Sequence, residues 1–368
     1  MGLPEEPAVV EAPTPPEAPA PGERGRGPLR RLIRWIEGVF IILIVFAFLI
    51  GGTVAWFWHA FNAAGPLTDE KVVVIPKGVG IAGIAKVLND AGVIDNPLVF
   101  KLGARLTVAD GQPLHAGEFK FPTATSARGA IRVLIEGKAV LHRLTVAEGL
   151  TVAEIYDEIQ ATPQLDGPLP PPPLEGTLLP ETYFFVLGDT RGQIVARMQG
   201  DMATALADLW PKRDPSVTLA SPQEAVILAS IVEKETGKDD ERPRVAAVFY
   251  NRIKKGMALQ SDPTIIYGIT QGKSKLDRAL TGTDLKLDSP YNSYTNTGLP
   301  PGPIANPGIA ALKAVLHPMK TKELYFVADG TGGHAFAETL EQHQKNVAKW
   351  RKFQKSQAEQ SGGADGEN

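Results

Sequence analysis

Two glutamates, Glu233 and Glu235, lie at the end of a mostly apolar stretch and could supply a general acid. Side chains two positions apart on a helix are separated by about 200° around its axis, so only one of these carboxyls can face a given cleft. Glu235 continues an apolar stripe that includes Ile231 and Val232, whereas Glu233 falls behind Ser230. Because an apolar setting raises the pKa of a carboxyl and keeps it protonated, we predict that Glu235 is the catalytic acid. The helix taken alone leaves open that both glutamates are solvated helix-end charges.

The stretch that carries these glutamates has the signals of a helix at both ends. Ser221 is a candidate N-cap, Pro222 takes the first helical position, and Glu224 stands three residues after the cap, as in a capping box. Gly237 is placed to end the helix as its C′ residue. The sequence therefore predicts a helix that holds Glu235 in its last turn.

Two segments further along the chain could present a surface for sugars. After a second predicted helix, residues 243–255, segments 259–268 and 289–304 combine aromatic rings and amides with Gly and Pro. Rings can stack on the apolar faces of sugars while amides bond to hydroxyls. These residue types also dominate ordinary loops, so each candidate could instead be structural. The predicted substrate-binding residues are Gln260, Asp262, Tyr291, Asn292 and Tyr294.

The N-terminal region contains a segment that could cross a membrane. Gly38–Trp58 is a run of 21 residues without a charge, which spans roughly 30 Å as a helix, the thickness of a bilayer core. Trp35 on one side and Trp56 and Trp58 on the other lie where interfacial aromatic residues belong. The run is too long for a cleaved signal peptide. We predict a transmembrane helix over residues 32–59.

Basic residues predict the orientation of this helix. Arginines crowd its N-terminal flank, at Arg24, Arg26, Arg30, Arg31 and Arg34. The positive-inside rule then places residues 1–31 in the cytoplasm and the chain beyond about residue 60 outside. The chain would be a single-pass protein of the inner (cytoplasmic) membrane with a periplasmic catalytic domain. Residues 1–31 and 356–368 are poor in apolar side chains, so both segments are predicted to be disordered.

The outer region reads as two α+β domains. Segments 74–88 and 145–159 each resemble a short strand, a glycine turn and an amphipathic helix. Such units recur in LysM-like modules, so we predict a glycan-binding module over residues 70–142 and a catalytic domain over residues 143–355; strand–turn–helix units are also simply common. Residues 163–174 hold so many prolines that they should form an exposed loop.

Seven motifs follow one another along the second half of the chain. They are Ala229–Thr236, Phe249–Arg252, Leu259–Thr264, Tyr291–Tyr294, Gly298–Gly302, Leu324–Gly330 and Gly333–His334. Together they resemble the YceG-like endolytic murein transglycosylase family (MltG), and the resemblance runs from about Lys71 to Trp350. The four-proline loop ahead of Leu174 looks longer than is usual in the family, which leaves the rim of the cleft there open.

The resemblance implies a reaction and a set of partners. Glu235 corresponds to the family's catalytic glutamate, which cleaves the β-1,4 bond between N-acetylmuramic acid and N-acetylglucosamine without water and leaves a 1,6-anhydro end. One carboxyl acts first as acid and then as base, and Glu175 and Glu181 are candidates for a helper role. The implied partners are peptidoglycan glycan strands, cut near the membrane as they are made, and peptidoglycan synthases (penicillin-binding proteins).

Composition excludes several other classes. The chain has no cysteine, so it can form neither disulfides nor thiolate sites, and its net charge of −3 does not suggest a nucleic-acid partner. Its 6 histidines lack the paired spacing of metal ligands, and we expect no metal or cofactor. Two alternatives remain: a glycan hydrolase that uses the same acid, and a noncatalytic glycan-binding scaffold that recruits synthases.

Overall fold

The computed structural model describes residues 28–362 and begins with a long helix. This helix, α1 (Pro28–Asn62), contains a stretch, Leu32–Asn62, that is long and apolar enough to cross a membrane. The predicted transmembrane helix is thus present as a candidate span. Residues 28–31 were expected to be disordered but are helical, and proline is well suited to the first helical position. Residues 1–27 of that predicted segment lie outside the described residues.

The module that follows α1 packs helices against one pair of strands. Its strands pair antiparallel, with Lys71 opposite Phe121. Alternation along the second strand turns Phe119 and Phe121 inward, where they are buried together with Phe100. Its elements are β1 (Lys71–Ile75), α2 (Ile81–Asp90), α3 (Pro97–Ala109), β2 (Gly117–Phe121) and α4 (Ala127–Glu136).

A second group of elements forms around another antiparallel pair, in which Thr145 lies opposite Thr182. The predicted strand–glycine–helix pattern is confirmed in both places. The glycines at the two turns, Gly78 and Gly149, adopt the left-handed conformation, with φ of +81° and +76°. Residues 163–174 form an irregular loop, as predicted. The elements of this group are β3 (His142–Thr145), α5 (Val152–Gln160), β4 (Thr182–Phe185) and α6 (Arg191–Leu209).

The third group of elements surrounds one central helix, α7. Its helices α7, α8 and α10 share an apolar core that includes Leu228, Ile231, Phe249 and Leu312. Because this core surrounds α7 from several sides, the residues at its end are held on a fixed support. The elements are α7 (Pro222–Glu235), α8 (Arg242–Lys254), α9 (Asp262–Thr270), α10 (Ile309–Leu316), β5 (Tyr325–Ala328), β6 (His334–Ala337) and α11 (Leu340–Gly362).

The architecture is mixed α+β behind an N-terminal apolar helix, as predicted. Residues 143–355 contain two separate hydrophobic clusters, one around α5 and α6 and one around α7. Helix α11 continues to Gly362, whereas a disordered tail was expected from residue 356. The reason is that Ala358, Glu359 and the neighbouring glutamines are good helix formers. Residues 363–368 lie outside the described part of the chain, and the LysM-like character of residues 70–142 stays a prediction.

Candidate active site

The N-terminus of α7 is capped largely as the sequence predicts. The Ser221 hydroxyl accepts a hydrogen bond from the Glu224 N–H at 3.2 Å, and Pro222 occupies the first turn. The predicted capping box is incomplete, however. The Glu224 carboxylate accepts from the N–H of Ala220 at 2.7 Å, one residue before the cap, because its side chain reaches past Ser221.

The C-terminus of α7 lies where the sequence predicts it. Thr236 leaves the helix in an extended conformation, with φ −143° and ψ 131°, and Gly237 follows it as the C′ residue. Gly237 does not take the positive φ that is common for glycine at this position. An extended Thr236 turns the chain away at once, and no left-handed residue is needed. Glu235 is therefore the last residue of α7, at the end of a helix whose middle part is largely buried.

The Glu235 carboxyl lies partly buried and is held by a hydroxyl. Ser261 Oγ donates a hydrogen bond to Glu235 Oε1 at 2.5 Å. Burial raises the pKa of Glu235; the Ser261 hydrogen bond opposes this shift and the Asp262 charge adds to it. His334 and Arg252 lie near enough to lower the pKa through their charges, but less strongly than burial raises it. The pKa of Glu235 is thus shifted in the direction expected of a general acid, and its catalytic role stays a prediction.

The Glu233 carboxyl points into a different environment. Its Oε1 accepts a hydrogen bond from Arg242 Nη2 at 2.9 Å, and its Oε2 accepts one from the N–H of Gly308 at 2.9 Å. The side chains of Glu233 and Arg242 are 4% and 6% exposed, so this is an interior ion pair. It ties α7 to α8 and to the N-terminus of α10. The predicted divergence of the two carboxyls is confirmed.

Ser261 is a site residue that the sequence reasoning missed. It occupies the N-cap position of α9, where a serine normally accepts a backbone hydrogen bond, but its side chain makes no cap. Its hydroxyl is directed to Glu235 instead, and the preceding residue, Gln260, has a φ of +53°. A serine followed by Asp-Pro predicts a helix cap, and no local pattern could have shown this diverted hydrogen bond.

A buried hydroxyl network fixes Ser261 in place. The N–H of Ser261 donates to Ser293 Oγ at 2.9 Å, and the hydroxyls of Ser293 and Thr264 are 2.7 Å apart. The N–H of Gln260 donates to the carbonyl of Ser293 at 2.9 Å. All three hydroxyl-bearing residues are buried. The two segments predicted to bind sugars, 259–268 and 289–304, are therefore joined next to Glu235.

Arg252 of α8 anchors the same support from the other side. Its guanidinium donates from Nε to the carbonyl of Leu324 at 2.6 Å and from Nη1 to the carbonyl of Leu259 at 2.7 Å. Arg252 is buried, and Nη1 also reaches Gln260 Oε1 at 3.4 Å. The guanidinium thus joins the segment that precedes Ser261 to the segment at Leu324, and it helps to position the Ser261 hydroxyl.

Three of the five predicted substrate-binding residues lie around Glu235. Gln260 and Asp262 flank Ser261 and are both exposed. The Tyr294 hydroxyl donates to Asp262 Oδ1 at 2.6 Å. Burial raises the pKa of Tyr294, and the hydrogen bond to Asp262 and the charges of Asp262 and Glu235 raise it further. These side chains form a polar surface next to the candidate acid.

The other two predicted residues lie elsewhere. Asn292 is 0% exposed, its Nδ2 donates to the carbonyls of Leu285 and Leu287, and its Oδ1 accepts from the N–H of Tyr294. Its amide is thus fully used in shaping the loop, so the structure assigns it a structural place and not the predicted substrate contact. Tyr291 packs against the ring of Tyr267, with 4.8 Å between ring centroids, and lines a cavity together with Glu175.

Glu175 lies beside Tyr267 and Tyr291 at a cavity of about 610 Å³. Its Oε1 accepts hydrogen bonds from the N–H of Val152 and from Asn306 Nδ2, both at 2.8 Å. Burial nevertheless raises its pKa to about 7, against the effect of these donors. Glu175 is therefore a second perturbed carboxyl, close to Tyr291.

Glu181, the other predicted helper, is exposed directly before β4. Near Glu235, His334 Nδ1 lies 2.7 Å from Glu241 Oε2, and the His334 N–H donates to Glu241 Oε1 at 3.0 Å. This pairing fixes the imidazole whose charge acts on Glu235. Within residues 28–362, no group of three His, Asp or Glu side chains could hold a metal ion.

Taken together, these contacts leave Glu235 as a partly buried carboxyl that is held by a hydroxyl and not by a cation. No Lys or Arg of the described residues forms an ion pair with Glu235. The exposed polar groups beside it suit a hydroxyl-rich ligand.

The chain belongs to the YceG-like family, whose sequence profile matches residues 73–349. The resemblance seen in the motifs is thereby confirmed. This chain is 33% identical over 316 residues to the endolytic murein transglycosylase of Bacillus subtilis (strain 168), and the match covers 77% of this chain and 86% of that protein. It is 29% identical over 361 residues to the endolytic murein transglycosylase of Streptococcus pneumoniae (serotype 2, strain D39), covering 84% of this chain and 64% of that protein.

A solved structure from the same family is also similar. It is the crystal structure of a yceG-like protein, lmo1499, from Listeria monocytogenes. The sequence identity is 32%, the match covers 75% of this chain and 99% of that chain, and the TM-score is 0.46.

Proposed function

We propose that the chain is a membrane-anchored lytic transglycosylase that cuts within peptidoglycan strands. The bond cut would be the β-1,4 linkage between N-acetylmuramic acid and N-acetylglucosamine, and the product would end in 1,6-anhydro-N-acetylmuramic acid. The observation that carries the proposal is the partly buried Glu235 carboxyl, which a hydroxyl holds in place of a cation. Relatives named endolytic murein transglycosylases support the choice of substrate.

In the first step, Glu235 acts as a general acid. Burial favours the protonated form of Glu235, so it can transfer a proton to the glycosidic oxygen. The bond between that oxygen and C1 of the muramyl unit breaks in the same step. The leaving sugar keeps the proton as a new hydroxyl. Glu235 becomes a carboxylate, which the hydrogen bond from Ser261 then stabilises more strongly than it stabilised the neutral acid.

In the second step, the same carboxylate acts as a general base. It removes the proton from the 6-hydroxyl of the muramyl unit, whose oxygen forms the new bond to C1 and closes the anhydro ring. No water is consumed, and Glu235 ends the cycle protonated. One carboxyl therefore replaces the acid and base pair of an ordinary glycosidase. Glu233 is a poor substitute because it is committed to Arg242.

Other groups would hold the sugars. Gln260, Asp262 and Tyr294 lie beside Glu235 and are the proposed contacts next to the bond that is cut. Tyr291, at the cavity with Glu175 and Tyr267, would contact a sugar further along the strand. Residues 70–142 would bind glycan as a LysM-like module, and the order β1–α2–α3–β2 with its two strands paired supports that comparison.

A glycan hydrolase is the second candidate, because Asp262 offers a second carboxylate near Glu235. In that reaction Asp262 would activate a water molecule, which would add to C1. The product masses decide between the two. Digestion of purified glycan strands by the full chain in detergent should release muramyl ends that are lighter by one water molecule than hydrolysed ends. Hydrated ends would establish the hydrolase. Intact strands, with Glu235→Gln indistinguishable from wild type in cells, would establish a noncatalytic scaffold.

The location and partners follow from α1. The arginine-rich flank supports a cytoplasmic N-terminus, with the catalytic domain on the outer face of the cytoplasmic membrane, where nascent strands and penicillin-binding proteins are found. A reporter that is active only in the cytoplasm, fused to the C-terminus, should stay inactive, whereas a periplasmic reporter should be active. The reverse result would overturn the orientation.

A further inference from the structure

The end of α1 is packed directly onto α3 of the first module. Phe57 and Phe61 of α1 stack with 5.4 Å between ring centroids, and both pack against the core of this module. Gly103 of α3 lies so close to Phe61 that a Cβ atom there would be 2.3 Å from the ring. A glycine is therefore required for this approach, and α3 lies beside the last turns of α1.

Helix α4 holds the end of α1 from a second direction. The Arg128 guanidinium lies 5.8 Å from the centroid of the Trp58 ring, and Arg128 Nη1 donates to Asn62 Oδ1 at 3.2 Å. Two helices of the module thus grip the same end of α1. The module is therefore fixed to α1 by side-chain contacts and is not joined to it only by a flexible linker.

This attachment sets the height of α3 relative to a membrane. The charge-free run of α1 ends at Trp58, and the run itself spans roughly the thickness of a bilayer core. Phe57 and Phe61 therefore lie where the hydrocarbon gives way to the headgroups. Since α3 contacts Phe61, it lies at the same level.

The side of α3 next to this contact is apolar and uncovered. Leu98, Leu102 and Leu106 are spaced four residues apart, so they form one row along the helix. They are 54%, 41% and 64% exposed. By helical geometry the row is adjacent to Gly103 and points away from the module's own core, which α3 contacts through Phe100.

Basic side chains border the leucine row. Lys101 and Arg105 follow Leu98 and Leu102 by three residues and lie on the neighbouring face of α3. Long basic side chains can keep an apolar stem in the interface while the charge reaches lipid phosphates. A helix with a leucine row flanked by basic residues has the pattern of a helix that lies in the membrane surface.

We propose that α3 lies in the headgroup region of the bilayer that α1 crosses, with Leu98, Leu102 and Leu106 inserted and Lys101 and Arg105 at lipid phosphates. The inference rests on the proposed membrane anchoring by α1. The bilayer is the occupant because the leucine row continues the surface by which α1 meets lipid. Together, α1 and α3 would fix the orientation of the module and hold the catalytic domain at a set height above the membrane.

Single-cysteine labelling of the full chain tests this directly, since the natural sequence has no cysteine. Leu102→Cys and Leu106→Cys, each carrying an environment-sensitive fluorophore, would be placed in nanodiscs of phosphatidylcholine and phosphatidylglycerol. Ile44→Cys in α1 reports on the anchor. Leu174→Cys, at a leucine that is 81% exposed in the catalytic region, and Lys86→Cys on α2 of the same module are the aqueous controls.

Quenching by lipids spin-labelled near the headgroup should be several-fold stronger at positions 102 and 106 than at 86 and 174. Position 44 should be quenched best by lipids labelled deep in the acyl chain. If position 44 is deep while 102 and 106 match the aqueous controls, α3 does not insert, although the anchor stands. If position 44 is also aqueous, the anchoring itself fails. Circular dichroism of each variant shows whether labelling has left the fold intact.

Discussion

The two sides of the C-terminal turn of α7 place the same functional group in contrasting surroundings. On one side, Glu233 is buried against Arg242 and the N–H of Gly308, the N-cap residue of α10. On the other, Glu235 meets a neutral hydroxyl, that of Ser261. Burial beside this hydroxyl raises the pKa of Glu235. Two glutamates of one motif thus differ in their partners, and the proposed roles follow from that difference.

The two sides of α7 also differ in what they contribute to stability and to the proposed reaction. A buried ion pair need add little net stability, but removing one member leaves an unpaired charge inside. The Glu233 side therefore serves to hold α7, α8 and α10 together. On the other side, the proposed acid Glu235 has a hydroxyl partner that is itself held by the buried network of Ser261, Thr264 and Ser293.

The sharpest test of the comparison is the pair of substitutions Glu235→Gln and Glu233→Gln. An amide cannot donate the proton that the glycosidic oxygen needs, so Glu235→Gln should lower kcat by about two to four orders of magnitude. Its thermal stability should match or exceed that of the wild type, because a neutral amide replaces a buried acid. Rates of anhydro-product formation and melting curves of both purified variants provide the check. Equal losses of kcat in the two variants would refute the assignment of roles.

Glu233→Gln should chiefly affect stability. The substitution leaves the Arg242 guanidinium buried with more distant or solvent-exposed carboxylates, those of Glu148 and Asp239. Breaking one side of such a pair typically lowers the free energy of unfolding by roughly 3 kcal/mol. Urea denaturation of the detergent-solubilised chain measures the loss. The folded fraction should keep most of its kcat; a variant as stable as the wild type would show that the ion pair holds nothing together.

The comparison extends to a third carboxyl, that of Glu175. It is partly buried, accepts hydrogen bonds from several neutral donors and forms no ion pair within the described residues. Its pKa of about 7 lies above the ordinary value of 4.5, so the folded state holds the proton more tightly than the unfolded state. The resulting stabilisation is complete below pH 4.5 and is lost as the pH rises through 7, by at most about 3 kcal/mol. Glu175→Gln, which cannot ionise, should flatten the fall in unfolding free energy between pH 5 and 8. An unchanged slope would contradict the raised pKa.

Much of this arrangement follows from local sequence pattern. A run without charges predicts α1 because lipid offers no partner for charge or for unpaired backbone groups. The apolar periodicity around Ile231 predicts which side of α7 Glu235 faces. Serine at position 221 and proline at position 222 predict where that helix starts. Each of these features is decided by neighbours within a turn or two of the residue itself.

The features that the sequence did not predict depend on contacts between distant segments. Ser261 reaches Glu235 across 26 positions, and no periodicity records that contact. Asn292 looks like a binding amide in a polar loop, yet folding buries it and uses its amide within the loop. Tyr291 contacts Tyr267 because its loop packs against helix α9, not because of its own neighbours in the sequence. Loop residue types are shared by binding surfaces and by structural turns, so composition alone cannot separate them.

Ser261→Ala has the smallest expected effect. It tests only the hydrogen bond from the Ser261 hydroxyl to Glu235. The hydrogen bond from Ser261 stabilises the charged form of Glu235, so its removal should raise the pKa of Glu235 further. The rate falls at high pH as the acid loses its proton, and this alkaline limb should therefore move upward by roughly one pH unit, the worth of about 1.4 kcal/mol.

The matched control for Ser261→Ala is Ser293→Ala, which removes a hydroxyl from the same buried network without touching Glu235. Profiles of kcat against pH for both variants separate a direct effect on the acid from a general loosening of the loops. If the limb moves in both variants alike, the network acts by holding its loops rigid. If it moves in neither, the 2.5 Å contact does not set the acidity of Glu235, and the contrast with the cation-bound Glu233 loses its electrostatic basis.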